Sequence, residues 1–128
     1  MNATILIVDD HPINLKLARG VLEFAGHQVL QAADAEQARA ILAAGIRPDL
    51  ILMDVALPGM DGLTLARCLK GDSATQAIPI VAMTAFAMKG DEQKALAAGC
   101  DAYLTKPIDT RQLPHRVAGW LKPYPLKG

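Results

Sequence analysis

Short apolar runs alternate along the chain with segments of helical periodicity. The runs are Ile5-Leu6-Ile7-Val8, Val29-Leu30, Leu50-Ile51-Leu52-Met53, Ile80-Val81-Ala82-Met83 and Ala102-Tyr103-Leu104. Runs of this length bounded by Asp, Gly or Pro predict strands. The first, third and fourth are apolar throughout, as expected of parallel strands covered on both faces. The Val29 run is flanked by Gln28 and Gln31, and the Tyr103 run is short, so these two are expected at the edges of a sheet.

Between the runs, apolar residues recur at helical spacing. Leu17, Ala18, Val21, Leu22 and Ala25 form a stripe that Pro12 starts and Gly26 stops. Asp34 is placed to cap a helix carrying Ala38, Ile41 and Leu42 and closed by Gly45. Gly62 opens a third helix with Leu65, Ala66 and Leu69 inward, and Met88 to Ala98 makes a fourth, closed by Gly99. Leu113, Val117, Trp120 and Leu121 form the stripe of a fifth. If Asp109 caps it, with Gln112 completing a capping box, Pro114 lies too deep to be neutral. The fifth helix is therefore expected to start a few residues late or on an irregular turn.

Five strand–helix alternations predict an α/β fold: a parallel sheet with helices on two faces. Right-handed crossovers favour a doubly wound arrangement. The length, 128 residues, is that of a single domain, with a core over about residues 4–122 and a short tail over 123–128. A composition 52% hydrophobic argues against disorder, and 13 basic residues against 13 acidic leave no net charge to attract nucleic acid or an anionic membrane. No apolar stretch approaches the roughly 18 residues of a spanning helix, and no signal peptide is visible. Cys68 and Cys100 are too few for a disulfide framework or a metal cluster and are expected to be reduced packing thiols in a cytoplasmic protein.

The chemistry is expected where the strands end, because ligands of open parallel sheets bind beyond the carboxyl ends of the strands. Asp9-Asp10 follows the first strand, Asp54 the third, Thr84 the fourth and Thr105-Lys106-Pro107 the fifth. Singly, each is an ordinary solvated loop residue or helix cap. Together they interrupt apolar runs at the same end of four strands, which solvation alone does not require. Three clustered carboxylates repel one another, and a hard divalent cation relieves that repulsion. Mg2+ takes oxygen ligands, keeps several waters and is typically held by one or two carboxylates plus phosphate oxygens. An ammonium beside such an ion favours an arriving phosphoryl group, and an aspartate can act as its nucleophile.

The runs Val8-Asp9-Asp10, Met53-Asp54-Val55-Ala56-Leu57-Pro58-Gly59-Met60-Asp61-Gly62, Met83-Thr84-Ala85 and Tyr103-Leu104-Thr105-Lys106-Pro107 resemble those of response regulator receiver domains of bacterial two-component systems. The resemblance covers Ile5 to about Leu121 and implies a CheY-like, flavodoxin-like strand order of 2-1-3-4-5. It implies that Asp54 is the phosphoacceptor and that Asp10 and Asp54 bind Mg2+ (with Mn2+ as a substitute) directly, together with the backbone carbonyl of Ala56. Asp9 would act largely through water. Lys106 would pair with the phosphoryl oxygens and precede a cis peptide to Pro107. Thr84 and Tyr103 would be the switch pair, the hydroxyl swinging toward the phosphoryl group and the ring turning inward. The donor would be a phosphohistidine on a histidine kinase or histidine phosphotransfer protein.

Other residues are read more plainly. His11 is expected to be a loop bystander, His27 and His115 surface residues, and Met53, Met60, Met83 and Met88 packing residues. Ala56 offers nothing to orient an attacking water and Phe86 is bulky, so a phosphoaspartate here is expected to hydrolyse slowly. In the fourth helix Met88 and Leu96 are the only large apolar residues. Such weak anchoring suits an element with two arrangements, and the fourth helix, fifth strand and fifth helix are the expected surface for a downstream protein. The leading expectation is thus a binding module that catalyses only its own phosphoryl transfer and dephosphorylation, rather than an enzyme. An aspartate-nucleophile phosphatase of the haloacid dehalogenase class would need an acid at the position of Ala56, and a receiver that works without phosphorylation would usually have lost one of the acidic, Thr or Lys positions. The run Ala85-Phe86-Ala87-Met88-Lys89-Gly90-Asp91-Glu92 resembles DivK-type single-domain regulators and also receivers of hybrid histidine kinases. The opening Met1-Asn2-Ala3 favours the stand-alone form over a receiver excised from a hybrid kinase.

Overall fold

The structure is a computed structural model and describes residues 3–57, 59–84, 90–106 and 108–121. Its elements are β1 (Thr4–Val8), α1 (Pro12–Phe24), β2 (Gln28–Ala32), α2 (Ala35–Ala43), β3 (Leu50–Asp54), α3 (Gly62–Lys70), β4 (Ile80–Thr84), α4 (Asp91–Ala97), β5 (Ala102–Thr105) and α5 (Leu113–Leu121). All strand pairs are parallel, in the order β2-β1-β3-β4-β5, so the two runs expected at the edges are the edges.

The period of two along each central strand divides the core between the faces. Leu6, Val8, Ile51, Met53, Ile80 and Ala82 pack toward Ala38 and Leu42 of α2 and Leu65, Ala66 and Leu69 of α3. Their neighbours Ile5, Ile7, Leu50, Leu52, Val81 and Met83 pack toward Ala18 and Leu22 of α1 and Leu113 and Val117 of α5. The central strands are apolar throughout because each faces a helical layer on both sides.

The helices differ in detail from the sequence expectation. α1 buries Ala18 and Leu22, while Leu17 is 53% exposed and Ala25 is also exposed. The buried face keeps Ala18 and Leu22 of the expected stripe and takes Leu15 as a partly buried member in place of Leu17 and Ala25. Ile13, Leu17 and Phe24, four and seven residues apart, form a second apolar stripe on the solvent side. α4 begins at Asp91 rather than Met88, which lies outside the described residues; it buries Ala95 and leaves Leu96 exposed. α5 begins at Leu113, so Pro114 is its second residue, where a missing N–H costs nothing. The irregular start is the expected one, but its cap is not the expected capping box. Asp109 accepts from the Arg111 N–H (3.0 Å), and its carbonyl accepts from Gln112 and Leu113. Asp34 and Asp61 cap α2 and α3 through the N–H three residues on. Cys68 is exposed instead of packed, whereas Cys100 is buried and its thiol is pushed up to about 11.

One polar bridge ties the far end of the sheet to α3. The Lys70 ammonium donates to the carbonyls of Ile78 (2.8 Å) and Gln76 (3.2 Å) and to Asp101 (2.9 Å), which also accepts from the Ile80 N–H. Lys70→Met takes the donor from two carbonyls and leaves Asp101 with the Ile80 N–H alone. It is expected to cost about 1–2 kcal/mol by urea unfolding while leaving divalent-ion affinity unchanged.

Candidate functional site

The parallel strands all end at one rim, and the order of pairing reverses across β1 and β3, opening a crevice between their carboxyl ends. Asp9 and Asp10 follow β1, and Asp54 is the last residue of β3. Thr84 ends β4 one step beyond Met83, the register partner of Asp54, and is buried. Lys106 follows β5, and its N–H donates to the Thr84 carbonyl at 2.7 Å. Sequence-distant polar residues therefore meet because five strands point the same way.

The side chains converge tightly. The Lys106 ammonium lies 2.9 Å from Asp9 Oδ2 and 3.0 Å from Asp54 Oδ2, with only 9% of its side chain exposed. Asp54 Oδ1 accepts from the Ala56 N–H at 3.0 Å, so each oxygen of this carboxylate has a separate partner. Asp9 Oδ1 accepts from the His11 N–H at 2.9 Å. The side chains of Asp9 and Asp54 are 2% and 3% exposed, against 36% for Asp10, which faces the mouth.

Burial pushes the Asp9 carboxyl up, but the Lys106 hydrogen bond, the His11 N–H, the Lys106 charge and the His11 side chain outweigh it and hold Asp9 below its ordinary value. Burial likewise pulls the Lys106 ammonium down, and hydrogen bonds and charges from Asp9 and Asp54 outweigh it, so the net direction is upward. Acid and base thus shift in opposite senses, as a buried ion pair requires.

His11, expected to be a loop bystander, reaches this cluster. Its Nδ1 lies 3.1 Å from Asp9 Oδ1, 3.2 Å from Asp10 Oδ1 and 3.7 Å from Asp54 Oδ2. One ligand atom from each of Asp9, Asp10, His11 and Asp54 fits within a 4.8 Å group. Position alone gave no signal for this, because a residue two beyond Asp9 in a loop can face either way. His115 is exposed as expected, but His27 is half-buried and its Nδ1 accepts from the Ala3 N–H at 3.2 Å.

A second unforeseen residue is Gly62. A Cβ there would run into the Asp54 carbonyl oxygen and meet the Val55 Cα at 2.9 Å. The glycine lets α3 start directly against the backbone that carries Asp54.

Tyr103 lies half-buried on the edge strand, its ring against the α2/α3 side of the core. Met53 and Met83 are buried and Met60 packs at the border of the same core, as expected of packing residues. Pro58, Phe86, Met88 and Pro107, where the cis bond is expected, lie outside the described residues, as do Lys122 and the expected tail over 123–128. Among the described residues no helix is long and apolar enough to cross a membrane.

Comparison with known proteins agrees with this fold. The family described as the response regulator receiver domain matches residues 5–118. The chain is 40% identical over 121 residues to the polar-differentiation response regulator DivK of Brucella anthropi, covering 94% of this chain and 98% of that one. The signal receiver domain of a signal transduction histidine kinase from Syntrophus aciditrophicus superposes with a TM-score of 0.85 at 34% identity, over 93% of this chain and 89% of the other. The Mn(2+)-bound form of the response regulator Rcp1 superposes with a TM-score of 0.83 at 25% identity, over 98% and 99%. A buried aspartate bridged by a lysine to the first residue of an acidic pair, at the switch point of a 2-1-3-4-5 parallel sheet, is thus found on a chain that belongs to the response regulator receiver domains of two-component signalling.

Proposed function

We propose that this chain accepts a phosphoryl group from a phosphohistidine donor onto Asp54 and thereby switches a protein-binding surface, catalysing only its own transfer and dephosphorylation. The observation that carries the reading is the Lys106 ammonium held between Asp9 and Asp54 at the mouth of the β1/β3 crevice. In the transfer an Asp54 carboxylate oxygen forms a bond to phosphorus while the bond to the donor's imidazole nitrogen breaks, its electron pair leaving with the imidazole. Lys106 follows the charge from the carboxylate onto the phosphoryl oxygens, at the point where negative charge gathers. Thr84, at the end of the neighbouring strand, supplies a hydroxyl to the same oxygens.

The donor set suits a hard divalent cation, since three carboxylates offer oxygen and two of them are buried. Asp10 and Asp54, with the Ala56 carbonyl, would hold Mg2+ directly, and Asp9 would act largely through water. When bound, Mg2+ would neutralise charge on the transferring group. Tyr103 would turn inward after Thr84, and the signal would pass to α4, β5 and α5, where a downstream protein binds. α4 suits that role, because among its described apolar residues Ala95 is buried and Leu96 is not.

Ala56, two residues beyond Asp54, is an exposed methyl group. It can neither protonate a leaving group, as an aspartate-nucleophile phosphatase would need, nor hold an attacking water. The phosphoaspartate is therefore expected to be long-lived in purified protein with Mg2+, and Ala56→Asn is expected to shorten its life. A wild-type lifetime of seconds contradicts this.

Incubation with acetyl phosphate tests the function. Intact mass should show one added phosphoryl group on the wild type with Mg2+, little without a divalent ion, and none on Asp54→Ala. Equal labelling of Asp54→Ala and wild type would overturn the reading.

A further inference from the structure

The geometry points to His11 as a nitrogen donor to the divalent-cation site, tilting that site toward ions that accept imidazole. The inference rests on the reading of the acidic pocket given above and adds a residue to it. His11 occupies the N-cap position of α1, where a side chain usually bonds to the first turn, yet it makes no such bond. Its extended backbone (φ −94°, ψ 108°) and the following Pro12 send the ring back over the strand ends instead. Nδ1 there lies 3.1 Å, 3.2 Å and 3.7 Å from oxygens of Asp9, Asp10 and Asp54.

The 3.2 Å separation from Asp10, a direct ligand in that reading, suits shared coordination, and a small turn of the ring closes the 3.7 Å to Asp54. Ligands about 2.1 Å from an octahedral ion and adjacent on its shell are about 3.0 Å apart. With an ion bound and the ring hydrogen on Nε2, in place of the Nδ1–H that donates to Asp9 when no ion is there, the imidazole presents a lone pair at Nδ1 toward the same point as the carboxylates. The ring is 60% exposed, so it can adjust around an ion while the buried carboxylates stay fixed. Imidazole adds little for Mg2+, which prefers oxygen and its own waters, and more for Mn2+, Co2+ or Zn2+. His27 and His115 are not part of this group of ligand atoms.

Calorimetric titration of the full chain with Co2+ and with Mg2+, for wild type and His11→Ala, reads the selectivity. His11→Ala should weaken Co2+ about tenfold or more and Mg2+ less than about threefold. Pulsed electron paramagnetic resonance on the Mn2+-loaded wild type should show coupling to an imidazole 14N nucleus that disappears in His11→Ala. The wild-type spectrum alone keeps the inference testable whatever the variant's stability. Absence of nitrogen coupling with Mn2+ bound, or equal weakening of Co2+ and Mg2+, would overturn the role of His11 and leave the acidic site standing. A wild type that bound none of these ions, or bound them equally well as Asp54→Ala, would overturn the site reading and this inference together.

Discussion

Lys106→Met is expected to destabilise the metal-free protein by about 3–4 kcal/mol at neutral pH, because it leaves the buried carboxylates of Asp9 and Asp54 facing each other without their shared cation. In a domain of this size that is a fall in Tm of roughly 10 °C or more. Methionine keeps the aliphatic volume, so lost charge and not a cavity accounts for the change. Mg2+ should stabilise the variant more than the wild type, since it relieves a larger repulsion. The pH dependence has a definite sign. Asp9 is held below its ordinary value of 3.8, so its stabilising contribution is present above that value and lost as pH falls through the lowered one. Lys106 is raised above its ordinary 10.5, so its contribution is present below that value and lost only as pH climbs past it. The gap between wild type and Lys106→Met should therefore be wide through the neutral range and close at both extremes. A gap that stayed constant into strong acid would mean that packing, not the ion pair, makes Lys106 important.

Gly62→Ala should cost about 2–3 kcal/mol and slow phosphoryl acceptance by tenfold or more. The added methyl has no flexible side chain to push aside; it meets the carbonyl of Asp54 and the Cα of Val55. Either α3 backs away, loosening Leu65 and Ala66, or the backbone carrying Asp54 shifts and pulls its carboxylate off the lysine. Gly20 supplies the control. A Cβ there meets nothing within 4 Å, so Gly20→Ala in α1 should stabilise by about 0.5–1 kcal/mol through helix propensity. Chemical unfolding and acetyl phosphate labelling of the two variants should separate cleanly; equal effects would contradict the close approach at Gly62.

The central strands and the rim residues were legible in the sequence for one reason. A strand buried on both faces must be apolar up to its rim, so the first polar residue after Val8, Met53 and Met83 marks the same rim each time, and Thr105 marks it on the edge strand. The phase of α1 was harder, since Leu15, Ala18 and Leu22 compete with Ile13, Leu17 and Phe24, and helical periodicity alone does not say which stripe meets the sheet. His11 and Gly62 were legible only in part. Their importance lies in the direction of a loop side chain and in the distance between two backbones, and neither leaves a periodic trace. The bridge from Lys70 to Asp101 joins residues 31 apart and was invisible for the same reason.

In the proposed transfer phosphorus arrives on the carboxylate at the end of β3. Borohydride reduces an acyl phosphate at an aspartate to homoserine, and peptide sequencing by mass spectrometry then locates it. After labelling with acetyl phosphate and Mg2+, homoserine is expected at position 54 and unmodified aspartate at positions 9 and 10. Homoserine at either member of the acidic pair with position 54 intact, or a phosphoryl group on a histidine instead, would contradict it.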